Sequence, residues 1–390
     1  MKWRAALVIS SLVAVLSGIA VADEIDQAPP VQLQPRDSDV AVVIGIAHYR
    51  EGVPDSSYSD DDAKTVKAYL LKLGFRESRI ELLVNDHATR SDIVKTVKTW
   101  LPNQVKPDSR VFFYYSGHGA PDATNPEHPE AYLLPYDGDP SDLADTAYPR
   151  KELLDRLGKL PAQQVVVVLD SCFSGAGGRS VLASGARPLL NHIVPVGAIA
   201  PNLALLTATQ GNQISTSDKD IGHGVLTYFF LKALRDGRTT LTDIYNNIKP
   251  EVEDRAKALN VQQTPALTFG AVQNRERFQI VDPAAYKAAI DAAAKAAAEA
   301  KAQAEKERQQ RDSDVAVAAE KQKLEDEKKR LEAERQASEQ RLQEERARLE
   351  REAQQRAAEQ QWQLDQERRR LQQQQQQNNS GEATFVPPTF

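Results

Sequence analysis

Hydrophobic residues fall along this chain in three regimes. Ala5 to Val21 is an almost unbroken apolar run. From Asp39 to Val281, short runs rich in Val and Ile alternate with stretches of helical spacing. From Ala284 to Gln377 the apolar residues thin out into Ala, Glu, Gln, Lys and Arg, with no Gly or Pro.

The middle regime carries most of the structural information. Asp39 to Ala47 (DVAVVIGIA) is a continuous apolar run, which marks a strand buried on both faces. Ser59 to Leu73 has helical spacing, with Ala63, Val66, Tyr69, Leu70 and Leu73 on one side, and Gly74 ends it. Ile80–Val84, Arg110–Tyr115, Val165–Leu169 and Leu203–Thr207 predict further strands, with an edge piece at Tyr132–Leu134. Ala266–Phe269 and Phe278–Val281 are candidates to close the sheet. Helices are predicted over Thr89–Leu101 (stopped by Pro102), Lys151–Leu160, Gly224–Arg235 and Leu241–Leu259. Strands alternating with helices of this length imply an α/β fold, a mostly parallel six-stranded sheet with helices on both faces. Sites in such sheets form beyond the carboxyl ends of strands, which directs attention to the loops after Tyr115 and Leu169.

The third regime predicts a long helix, on the order of 140 Å if unbroken. Leu324–Leu331, Leu342–Leu349 and Leu364–Leu371 are heptad pairs, but the gaps between pairs break the heptad. An oligomerising coiled coil, with a second copy or a partner helix along 284–377, and a solitary charged helix both fit this pattern. The tail at 378–390 reads as disordered.

The first regime reads as a secretory signal over residues 1–22. Lys2 and Arg4 precede the apolar run, and Ala20-Val21-Ala22 offers a small-x-small cleavage site. An uncleaved anchor is the rival reading. Residues 23–38, Pro-rich and polar, read as a linker to a domain at 39–283. The expected location is secreted or periplasmic. The net charge of −6 provides no basic field for nucleic acid. The six histidines form no HExxH or i,i+4 pair, which argues against zinc. Ser174–Ser180 (SGAGGRS) follows a strand like a phosphate loop but lacks the Gly-Lys-Ser/Thr ending.

The single cysteine changes the picture. Cys172 sits in DSCFSG just past one central strand, and His118 sits in YYSGHG just past another. If those strands are neighbours, thiol and imidazole can meet. A cysteine peptidase needs a thiolate, a base near neutral pKa and donors for a tetrahedral oxyanion. Cys172 and His118 supply the first two, and the backbone N–H groups of Cys172 and Gly119 are candidates for the third. Either residue alone has a plainer reading, as a packed thiol or a polar turn. The two together in glycine-rich contexts favour chemistry.

His118 precedes Cys172 by 54 residues, close to the spacing of about 50 quoted for caspases. The two motifs resemble those of metacaspases, in the D-S-C-x-S-G form rather than the caspase Q-A-C form. The resemblance covers roughly residues 38–280 and includes DDDAKTVKAYLLKLGF, AYLLPYDGD and the helix start at 224–229. It implies a caspase-type sheet and a cysteine endopeptidase cutting protein or peptide substrates after Arg or Lys. It also implies that Asp170 and Asp62 bind the basic side chain, with Asp61 the competitor of Asp62. A carboxylate beside that side chain favours a cation. The plain reading of Asp60–Asp62 is a helix N-terminus, where acids are favoured anyway. The resemblance requires no cofactor for chemistry and allows calcium. Asp137, Asp139, Asp142 and Asp145 lack an EF-hand spacing, so no metal ligand is named. Self-cleavage is expected after Arg179. The alternative is a catalytically silent caspase-like scaffold acting through its coiled-coil tail; the intact Cys172 and His118 weigh against it.

Overall fold

The computed structural model describes residues 25–29, 31–50, 52–122, 130–173, 197–210 and 213–379. The signal segment, the expected cleavage after Arg179 and residues 380–390 lie outside the described residues. Chain contacts divide the molecule into two units, 1–297 and 298–390.

Unit 1 is built on strands β1 (Val40–Gly45), β2 (Ile80–Val84) and β3 (Arg110–Ser116), followed by β4 (Gly119–Asp122), β5 (Glu130–Leu133) and β6 (Tyr148–Pro149), then β7 (Gln164–Asp170), β8 (Leu203–Thr207), β9 (Ser217–Asp218), β10 (His223–Gly224) and β11 (Ala266–Phe269). The helices are α1 (Ser59–Lys72), α2 (Arg90–Lys95), α3 (Leu101–Gln104), α4 (Leu143–Thr146), α5 (Arg150–Gly158), α6 (Val225–Arg235), α7 (Leu241–Ala258) and α8 (Pro283–Asn379). Six strands form the central sheet in the order β11-β8-β7-β3-β1-β2. All pairs are parallel except β11 against β8.

Residues of β1, β3 and β7 are buried throughout, as a sheet covered on both faces requires. Alternation sorts them. Phe112, Tyr114, Val166 and Val168 join a core with α1, α6 and α7, including Ala63, Val66, Phe230 and Ile244. Val111, Phe113, Tyr115, Val165 and Val167 join a second core with Ile93, Leu101, Leu153 and Leu157 on the opposite face. β4, β5 and β6 make a separate antiparallel sheet, so Tyr132–Leu133 does not extend the central one.

Three expectations are corrected. Pro102 does not stop the helix. A π-helical stretch over Thr96–Trp100 carries the chain into α3, where Pro102 stands in the first turn and its missing N–H costs little. Phe278–Val281 is not a strand; Gln279 makes one isolated bridge to Thr240, and Phe278, Ile280 and Val281 are buried by packing. The segment read as a linker is largely a strap on unit 1. Ile25, Val31 and Leu33 are buried, Tyr69 donates to the Ile25 carbonyl (3.1 Å), and Leu33 N–H donates to Lys72 O (2.9 Å).

Candidate active site

Parallel pairing of β3 with β7 sets Ser116 opposite Asp170. His118 and Cys172 each follow two residues later, so they leave neighbouring strands at the same level. Gly119 makes the approach close: a Cβ there would lie against the Cys172 carbonyl and 2.7 Å from the Phe173 ring. Gly117 is equally confined, since a Cβ would fall 2.6 Å from Tyr49 Oη. Both motif glycines are therefore fixed by crowding, Gly119 by the Cys172 main chain and the Phe173 ring and Gly117 by the Tyr49 and Tyr115 side chains.

His118 and Cys172 are both buried. The His118 backbone N–H donates to Tyr49 Oη (2.6 Å), and the two rings lie 4.9 Å apart. Tyr115 Oη bridges the carbonyls of His118 (2.7 Å) and Leu134 (2.9 Å). The imidazole Nε2 lies 2.8 Å from Pro54 O. A carbonyl only accepts, so Nε2 carries the proton, and in the neutral ring Nδ1 is the basic nitrogen. Arg150, beside this loop, sets its guanidinium 4.9 Å from the Phe173 ring centroid. Burial lowers its pKa to about 10, partly offset by Glu130.

The two predicted pocket acids are fully buried. Even-numbered positions of β3 and β7 face α1 and α6, so Ser116 and Asp170 point toward those helices. Asp170 accepts from Ser215 Oγ (2.7 Å), from Thr227 Oγ1 (2.6 Å) and from the Thr227 N–H (3.2 Å) at the start of α6. Asp62, on the first turn of α1, accepts from Ser116 Oγ (3.1 Å), from Gly224 N–H (3.2 Å) and from His223 Nδ1 (2.9 Å). The start of α1 reaches this level because Gly45 has no side chain; a Cβ there would meet the Ser59 carbonyl and lie 2.5 Å from Ala63 Cβ. Asp61, the competitor, pairs with Lys64 (2.8 Å) and its side chain is 61% exposed, so it stands outside the cluster.

Sequence reasoning did not find Tyr49, the Pro54 carbonyl, Ser215, Thr227 or His223. Each comes from a distant segment, and of the five only Thr227 lies within a block the resemblance had marked, the helix start at 224–229. For His223, the available hint was its place beside Gly224, directly before the apolar helix that the resemblance had marked.

No calcium site takes shape around the acidic loop. Asp137 accepts from Arg90 N–H (2.7 Å), and Asp139 accepts from Ser141 N–H (2.8 Å) and Oγ (2.6 Å). The hydroxyl and then the amide of Ser141 hold the Asp139 carboxyl below its usual range. Among the described residues, no group of three or more His, Cys, Asp or Glu is placed to hold a metal ion.

The family model for the caspase domain matches residues 38–275. Metacaspase-1 from Lodderomyces elongisporus is 29% identical over 133 residues, covering 30% of this chain and 28% of the relative. Metacaspase-2 from Trypanosoma brucei brucei is 30% identical over 147 residues, covering 35% of this chain and 41% of the relative. The chain thus spans less than half the length of these relatives. Two solved structures are similar in outline. One, a protein from Geobacter sulfurreducens, has 17% identity and a TM-score of 0.47, covering 62% of this chain and 97% of that one. The other, caspase-1 from Spodoptera frugiperda, has 15% identity and a TM-score of 0.42, covering 64% and 92%.

Proposed function

The chain belongs to the caspase-domain family of peptidases, and on that premise we propose that it is a cysteine endopeptidase cutting after Arg or Lys, with Cys172 as nucleophile and His118 as general base. The observation that carries this reading is the level exit of the two residues from paired strands, with Gly119 against the Cys172 backbone. The Cys172 thiol gives its proton to His118 Nδ1. The thiolate sulfur attacks the peptide carbonyl carbon, and the backbone N–H groups of Cys172 and Gly119 face the oxyanion. Collapse breaks the C–N bond as the imidazolium returns the proton to the leaving amine. Water, deprotonated by the same imidazole, then hydrolyses the thioester and frees the acid and the thiol. Pro54 O holds the ring in the tautomer this requires.

Asp170 and Asp62 support the choice of a basic P1 side chain. They lie two residues before the nucleophile and beside the serine two residues before the base, respectively. Buried carboxylates at that level favour a cation and repel an acid. The test uses the full chain on matched fluorogenic peptides ending in Arg and in Asp. The expected result is hydrolysis of the Arg peptide alone, lost in Cys172→Ala and reduced at least about a thousandfold in His118→Ala. Equal turnover of both peptides would reject the specificity. Activity surviving in Cys172→Ala would reject the mechanism.

A further inference from the structure

His223 has a carboxylate at each ring nitrogen. Nδ1 lies 2.9 Å from Asp62 Oδ1 and Nε2 lies 3.2 Å from Asp26 Oδ1. The imidazole is 2% exposed, Asp62 is sealed at 0% and Asp26 is 47% exposed. The oxygens of an ionised carboxylate only accept. Both contacts are hydrogen bonds only when both nitrogens carry protons, so this arrangement requires an imidazolium.

The two acids come from different places. Asp62 is the α1 acid assigned above to the P1 pocket. Asp26 belongs to the strap, which is held by the buried Ile25, by Tyr69 Oη on the Ile25 carbonyl (3.1 Å) and by Arg235 Nη1 on the Gln27 carbonyl (2.7 Å). Among the described residues, the remaining neighbours contribute no further ionised partner. From α6, the Tyr228 ring stands 6.3 Å away. From β9, Asp218 is the register partner of His223, but its carboxylate is turned to Arg255 and to the Asp220 N–H.

We propose that His223 is a positioning residue that holds Asp62 and is itself kept charged by Asp26, so that the strap sets how strongly the P1 pocket attracts a basic side chain. This rests on the peptidase reading for its substrate and on the geometry alone for its coupling. With His223 protonated, Asp62 and the imidazolium cancel and Asp170 is left to attract the substrate. When the imidazolium loses its proton, it loses it from Nε2, the side toward solvent. Nδ1–H stays on Asp62, the pocket gains one net negative charge, and Asp26 then faces a lone pair and separates.

Burial pulls the His223 pKa down, but the hydrogen bond and charge of Asp62, with the charge of Asp26, outweigh it and leave it raised. The stabilisation it contributes is therefore full below the ordinary imidazole pKa of about 6.5. It is lost as pH climbs through the raised value.

The experiment has two arms on the full chain. In the first, kcat/KM is measured from pH 6 to 9 for two peptides that differ only in P1 Arg or its neutral isostere citrulline. Their ratio cancels the ionisations of Cys172 and His118. It should rise at least about tenfold across the His223 titration, mainly through KM. In His223→Gln the ratio should be high and flat. In Asp26→Asn the rise should move to lower pH. In the second arm, NMR titration of the histidine Cε1–H signals in Cys172→Ala should give His223 a pKa above the ordinary value, lowered by Asp26→Asn. A flat wild-type ratio, or a rise that persists in His223→Gln, overturns the pocket role. A His223 pKa unmoved by Asp26→Asn overturns the coupling. Failure to cut either peptide overturns the peptidase reading, and the NMR arm then decides the coupling by itself.

Discussion

At the scale of single residues, the site depends on atoms that are missing as much as on those present. Gly119 is the clearest case. Its backbone passes so close to Cys172 that a Cβ would press on the Cys172 carbonyl and the Phe173 ring. Neither can yield easily: one is main chain, and the Phe173 ring lies under the Arg150 guanidinium. Gly119→Ala should therefore pry the two strand exits apart and move an oxyanion donor. The expected loss is about a hundredfold or more in kcat, with about 1–3 kcal/mol of stability from overpacking. Steady-state kinetics beside a denaturant titration separates the two effects, and a near-normal kcat would remove the Gly119 amide from the oxyanion site. The glycines on both sides of His118 were visible in the sequence, as were His118 and Cys172, because the motifs are local. Tyr49, Pro54 and His223 were not, because their roles arise only when segments 69, 64 and 161 residues away from their partners fold against them.

At the scale of elements, the central sheet was legible because strands buried on both faces must be apolar at every position, and a run such as VAVVIG or VVVVL shows this directly. Apolar runs that are buried without pairing look the same, and this is why Phe278–Val281 read as a strand. The strap was hidden for the opposite reason, since three well-spaced apolar residues within a polar, Pro-rich stretch leave no periodic signal. One polar contact also fixes the sheet. Asp39, at the entrance to β1, is fully buried and accepts from Arg110 Nε (2.9 Å) at the entrance to β3, with Arg36 at 3.2 Å on its other side. This pair joins neighbouring strands at the end opposite the catalytic loops. Removing one partner strands a buried charge, so Asp39→Ala should cost about 3–5 kcal/mol. The double variant Asp39→Ala/Arg110→Met should recover part of that loss. Chemical denaturation of the three proteins would test it, and an Asp39→Ala cost below about 1 kcal/mol would mean the pair is no more than a solvated surface contact.

At the scale of the whole molecule, the boundary of unit 1 lies inside α8 rather than at its start. The composition shift after Pro283 suggested a domain ending at 283, because Ala-rich helix begins there. Yet Tyr286 is fully buried, with its hydroxyl on the Leu234 carbonyl (2.7 Å), and Ala289, Ile290 and Ala293 pack on the same core. Past Ala297 the character changes. Leu324, Leu331, Leu342, Leu349, Leu364 and Leu371 are all exposed. Their spacings of 7 and 11 residues fall about 20° to either side of whole turns and the 15-residue gap adds about 60°, so the six stay on one side of the helix despite the broken heptad. The first turns of α8 thus serve as a brace for α6. Truncation after Ala297 should leave the thermal midpoint of unit 1 within about 2 °C of the full chain, since its core is intact. Truncation after Asp282 removes Tyr286 and its hydrogen bond, and a large aromatic lost from a core costs about 3–5 kcal/mol. The shorter protein should therefore melt well below the longer one, read by near-UV circular dichroism, which reports the packed aromatics. If both truncations melt together, the brace contributes nothing and the domain does end at 283; if both fall, stability extends beyond Ala297 and the two-unit division fails.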